Sequence, residues 1–155
     1  MAINAYAKIG GYKGDSTQAG DKNEKFTVYK IDHKVELPVD PQTGQPTGNR
    51  IHGPFSITVP KCAGGVEVKK AMCSAEPEKL EVIISHFNPQ KTTEIYYEIT
   101  LTDAIVCKIE DATYDTLDPK YTKYPDLEKI SFTYSKIKWT DKVDNKEHED
   151  SWENA

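Results

Sequence analysis

Between Phe26 and Leu37 the chain alternates almost residue by residue. Tyr29, Ile31, His33, Val35 and Leu37 fall on one side, and Lys30, Asp32, Lys34 and Glu36 on the other. Successive side chains of an extended chain point to opposite faces, so the pattern predicts a strand with one face on a core and one in water. The same period recurs. Phe55, Ile57 and Val59 oppose Ser56 and Thr58, and Ile95, Tyr97, Ile99 and Leu101 oppose Glu94, Glu98, Thr100 and Thr102. INAYAKI at 3–9 is a shorter example, while KLEVIISHF at 79–87 is apolar on both faces, as for a strand in mid-core. In ISFTYSKIKW at 130–139 the phase changes. Ile130, Phe132 and Tyr134 share one side and Ile137 and Trp139 the other, which predicts a bulge. The period changes only once: Val68, Ala71, Met72 and Ala75 mark one stripe of a short helix, preceded by Gly64 and Gly65 and stopped by Pro77.

About seven or more strands and one short α-helix predict a mainly β fold, a β-barrel or two-sheet sandwich. The expected division is a barrel domain over 1–140 and an acidic C-terminal tail over 141–155. That tail carries six acids against Lys142 and Lys146, so it is expected to be a solvated terminus, with Trp152 hinting at a docking point.

Charge and composition narrow the function. A net charge of −5 lacks the basic footprint that nucleic acid demands. No run approaches the ~20 apolar residues of a bilayer span, so no membrane insertion is expected. The N-terminal MAINAYAKIGGYKG has no basic segment followed by an apolar core, from which we expect synthesis in the cytosol and export, if any, by a route without a signal peptide. The three cysteines, Cys62, Cys73 and Cys107, form no CxxC and are expected to be reduced and to act as small hydrophobes. His33, His52, His86 and His148 stand at no metal-ligand spacing. GGYKGDST at 10–17 lacks the order of a phosphate loop and places Asp15 where a cation is wanted. No catalytic residue, metal or cofactor is expected, and the chain is not read as an enzyme.

One segment fits none of these strands. Residues 38–54 hold Pro38, Pro41, Pro46 and Pro54, four of the nine prolines, together with Gly44, Gly48 and Gly53. A connection longer than ~12–15 residues in a compact domain is usually functional or disordered. Prolines restrict the backbone, and a charge of only Asp40 and Arg50 suits burial against another protein. The candidate interface is therefore this extended loop: Asp40, Pro41, Gln42, Thr43, Gly44, Gln45, Pro46, Gly48, Asn49, Arg50, His52 and Phe55, with Arg50 and His52 as polar contacts and Phe55 as a packing anchor.

At these residues the sequence resembles the hemolysin-coregulated proteins (Hcp), which form the inner tube of the type VI secretion system. The resemblance is carried by VELPVDPQTGQPTGNRIHGPFSITVPK at 35–61, by the closing ISFTYSKIKW, and by YAKIGGYKGDST near the start. It implies a barrel assembled as a homohexameric ring, with rings stacked into a tube inside a contractile sheath and capped by spike proteins. It also implies small effector proteins carried and protected in the lumen, no catalytic site, and a cytoplasmic protein expelled from the cell on contraction. The long loop would then reach a neighbouring subunit or ring. Two other readings of the residues stay open: the tube subunit of a related contractile particle or phage tail, and a monomeric ligand-binding β-barrel.

Overall fold

The computed structural model describes residues 5–153, so Ile3 and Asn4 of the first predicted strand lie outside it. The alternating run after Phe26 is three strands rather than one. β2 (Phe26–Val28) pairs antiparallel with β1 (Ala5–Ile9), whereas β3 (Lys30–Asp32) pairs with β6 (Phe55–Pro60). Between them the Tyr29 amide donates to Thr58 O at 2.8 Å. The buried phase flips at the same point: Phe26 and Val28 face the core, then Tyr29, Ile31 and His33 are half-buried. A chain that changes partner also changes the side on which the core lies, which the uniform alternation did not reveal.

That switch closes the sheet. The remaining large strands are β7 (Leu80–Phe87), β8 (Ile95–Asp111) and β9 (Leu127–Thr133), and the sheet order is β2-β1-β7-β8-β9-β6-β3. Because β2 and β3 are consecutive pieces of one run, the two ends of this order meet, and the barrel has no open edge there. Phe26, Phe55 and Phe132 are fully buried in its core, while Phe87 is buried outside that cluster against Tyr6.

β8 runs 17 residues and serves two neighbours along one side. Its last part pairs with β9, and residues 97–102 pair with β10 (Lys136–Asp141). The junction is irregular on both strands: Asp103 has φ 52°, and the chain breaks between β9 and β10 at Tyr134–Ser135. The predicted phase change after Tyr134 falls here. The matching change on β8, from buried Ile99 and Leu101 to buried Ala104 and Val106, was not foreseen.

The acidic C-terminal segment differs from expectation. It turns back at Asn145 (φ 52°) and returns as β11 (Lys146–Ser151), paired with β10 over six residues. The acids face lysines across the hairpin, Lys136–Glu149 at 3.6 Å and Lys138–Glu147 at 3.2 Å. Read alone, the run looked like a solvated tail; paired with the lysine-bearing strand before it, two of its acids meet lysines diagonally across the hairpin.

The helix α1 (Ala63–Cys73) starts earlier than predicted, with Gly64 and Gly65 inside its first turn. Both are needed there for space. A Cβ on Gly64 would lie 1.9 Å from Lys13 O, and one on Gly65 would lie 2.2 Å from Glu128 Oε1. Glu128 is almost fully buried beneath this turn and is paired with Lys69 Nζ at 3.1 Å, a carboxylate placed where the helix dipole favours it. Val68 and Ala71 are buried as predicted, whereas Ala75 lies beyond the helix and is exposed.

Two further expectations are settled by position. Asp15 of the glycine-rich turn accepts from the Thr27 amide and hydroxyl, both at 2.9 Å, which makes it a loop clamp. The three cysteines are free, but Cys73 and Cys107 are exposed and only Cys62 is partly covered, so the small-hydrophobe reading fails for two of them. Both lie where their element meets solvent, at the last turn of α1 and on an outward position of β8.

Candidate assembly arm and its anchor

The proline-rich segment is ordered by its own backbone. β4 (Val35–Glu36) and β5 (Ile51–His52) form a small separate sheet at its base. Beyond it Val39 bridges Pro46, and the Thr47 amide donates to Pro38 O at 2.9 Å. The tip is a closed turn. The Asp40 amide donates to Gln45 O (2.8 Å), the Gly44 amide to Asp40 O (2.7 Å), and the Gln42 amide to the Asp40 side chain (2.8 Å). Gly44 sits at φ 72°, a conformation that costs little only without a side chain. Pro41, Gln42, Thr43, Gly44, Gln45, Pro46, Gly48 and Asn49 are all exposed, and Asp40 is half-covered. The arm is a stiffened hairpin, not a loose loop.

The other three predicted residues have a different place. Phe55 is fully buried in the barrel and offers no free surface. Arg50 and His52 turn inward to Asp150 of β11. The Arg50 Nε and Nη2 groups donate to the two Asp150 oxygens at 2.5 Å each, a bidentate pair. His52, 5 % exposed, bonds Asp150 Oδ2 through Nε2 at 2.7 Å and the Tyr134 hydroxyl through Nδ1 at 2.7 Å. Tyr134 in turn meets His33 Nε2 at 2.9 Å. Trp152 covers the group, stacked on His52 at 5.9 Å and edge-on to Tyr134 at 4.9 Å.

Proton positions follow from the partners. The Arg50 hydrogen bonds, aided by His52, hold the Asp150 carboxyl down at about 2, so it accepts and His52 Nε2 carries a proton. The Tyr134 hydroxyl stands between the two imidazoles, with one hydrogen bond to His52 Nδ1 and one to His33 Nε2, and so can donate to one ring while accepting from the other. Burial, reinforced by the nearby His52, lowers His33 to about 4 and keeps it neutral. Burial and the Asp150 charge raise Tyr134, which stays a hydroxyl. No buried side-chain nitrogen or oxygen of this chain from His33 to Arg50 lacks a hydrogen-bond partner.

Two histidines, an acid and a tyrosine invite a catalytic reading, but the geometry closes it. The polar atoms are consumed by one another, and Trp152 lies over them. No cluster of three or more potential metal ligands occurs among the described residues. What the arrangement does is fix the arm: Arg50 and His52 stand where β5 enters β6, and Asp150 clamps both to the far C-terminal hairpin. Sequence reasoning found Arg50 and His52 but missed Asp150, Tyr134 and His33 as their partners. The one signal was Trp152, an aromatic residue in a run otherwise made of charges.

Comparison with known proteins agrees with this architecture. Residues 6–140 match the family described as the type VI secretion system effector Hcp. The chain is 34% identical to the "Major exported protein" of Pseudomonas aeruginosa, covering 98% of this chain and 96% of that one. A crystal structure of an Hcp protein superposes with a TM-score of 0.85 at 26% identity, over 97% of this chain and 98% of the other. The Hcp1 protein of the E. coli EAEC 042 pathovar gives 0.81 at 25% identity, over 97% and 99% of the two chains. No helix among the described residues is long and apolar enough to cross a membrane. By profile, relative and fold together, the chain belongs to the Hcp family of type VI secretion, a family of structural proteins and not of enzymes.

Proposed function

We propose that this chain is the subunit of a homohexameric ring, and that the rings stack into the inner tube of a type VI secretion apparatus. The observation that carries this reading is the arm, a stiff exposed hairpin that adds nothing to its own core and yet is anchored by a buried network. A ring needs one patch to meet a different patch on the next copy, and a preordered projection loses little freedom on docking. The contact surface is the tip, Asp40 to Asn49, while Arg50, His52 and Phe55 set its direction. Like the exported Pseudomonas relative, the chain leaves the cell. It is held in the cytoplasm inside a contractile sheath under a spike, and contraction of the sheath expels it. Small effector proteins travel in the lumen.

The test replaces residues 41–49 with two glycines. Circular dichroism should report an unchanged barrel, and electron microscopy should show stacked tubes for the intact chain and none for the variant. Tubes that persist in the variant would remove the arm from the contact. A monomeric intact chain would instead favour the ligand-binding barrel.

A further inference from the structure

Lys22 is only 7 % exposed, on the 3-10 turn Gly20–Lys22 between β1 and β2. Its ammonium nitrogen stands 4.7 Å from the Phe87 ring centroid and 5.4 Å from that of Tyr6. Those rings supply attraction but no hydrogen-bond acceptor in their plane. Among the described residues Lys22 joins none of the ion pairs, although fourteen others form. The alkyl stem is covered while the ammonium reaches the adjoining space, with three donors and no ion-pair partner within 4 Å among the described residues.

The space beside it has the matching chemistry. Lys22 and Phe87 line a half-open pocket of about 260 Å³ with Gln18, Asp21, Thr92 and Thr93. The two threonine hydroxyls and the Gln18 amide can donate to an anion, and the Phe87 ring offers an apolar wall for a short carbon chain. Asp21 sets a limit. Its carboxylate, in the same lining but not paired with Lys22, repels an incoming anion and repels a phosphate dianion more strongly than a monoanion.

We infer that the pocket of Lys22, Gln18, Thr92 and Thr93 is a binding site for a carboxylate monoanion. The carboxylate pairs with the ammonium at the pocket floor, accepts from the threonines at the rim, and lays its aliphatic part on Phe87. It arrives either as a free short-chain carboxylate or on a glutamate side chain of a peptide segment. This site shares no residue with the arm.

Saturation-transfer NMR reads it directly, because the method tolerates large particles and weak ligands. Acetate and propionate methyl signals should show saturable transfer from the intact protein. Lys22→Met, which keeps the alkyl chain over the rings, should reduce that transfer at least fivefold. The double variant Thr92→Val with Thr93→Val changes exposed residues only and should reduce it more than twofold, so the inference survives even if Lys22→Met fails to fold. Inorganic phosphate should displace acetate less effectively than propionate does. A blocked Gly-Glu-Gly peptide that binds while its Gln counterpart does not would assign the peptide source; binding of acetate alone would assign the free one. No saturable transfer from any carboxylate, transfer unchanged in both variants, or stronger displacement by phosphate would overturn the assignment.

Discussion

Tyr134→Phe removes one oxygen from the centre of the anchor and tests the account of it. Tyr134 is 4 % exposed, and its hydroxyl satisfies His52 Nδ1 at 2.7 Å and His33 Nε2 at 2.9 Å. Removing it leaves both nitrogens without that partner, and each such buried group costs about 1–3 kcal/mol. His52 is enclosed and should incur most of that range; His33 is half-buried and can recover water, so its share lies at the bottom. The sum is about 2–4 kcal/mol, with little loss of packing because the ring remains. Urea unfolding at pH 7.5 should show a lower midpoint with an unchanged slope. The measurement belongs at several protein concentrations, since assembly adds apparent stability. Tyr96→Phe, at an exposed tyrosine, should change stability by less than about 0.5 kcal/mol. A Tyr134→Phe loss no larger than that control would refute the claim that this network secures the arm.

Two other outcomes follow from the same structure. Gly65→Ala places a methyl group where Glu128 Oε1 lies 2.2 Å away, so the carboxylate must leave its seat under α1. Thermal unfolding should record a loss of about 1–3 kcal/mol, and an unchanged midpoint would contradict the packing of α1 on Glu128. Acidification should also weaken the fold. His33 is lowered by burial to about 4, so the unfolded chain binds its proton first, and this contribution is complete above about pH 6.5 and lost as pH falls through 4. Asp150, held near 2 by Arg50 and His52, adds a loss in the same direction below about pH 4. Stability measured from pH 7 to 3 should therefore fall steadily, and less steeply in a His33→Gln variant between pH 6.5 and 4. A flat profile over that window would contradict a buried neutral His33.

The elements that alternation could reveal were legible in the sequence. The strands at Phe55–Pro60 and Leu80–Phe87 and the helix around Val68 and Ala71 lie where local pattern placed them, whereas the run at 130–139 spans the end of β9 and the start of β10. What stayed hidden is tertiary. The flip at Tyr29 depends on a change of partner from β1 to β6, and a period of two looks the same on either side of it. β11 is mostly charged and presents no apolar face, so nothing local marks it as a strand; its partner lysines on β10 do. For the arm, proline and glycine marked the segment that the structure forms into an exposed hairpin. They could not show that Arg50 and His52 are engaged by Asp150, a hundred residues away in sequence, leaving the tip as the free surface.

The central claim is assembly, and particle mass tests it most directly. Light scattering on the eluting peak of the intact, purified chain should give six times the 17.5 kDa subunit or whole multiples of that ring. Images of the same fraction should show rings with an open centre. A homogeneous species of 17.5 kDa that persists at high protein concentration would contradict the tube-subunit reading.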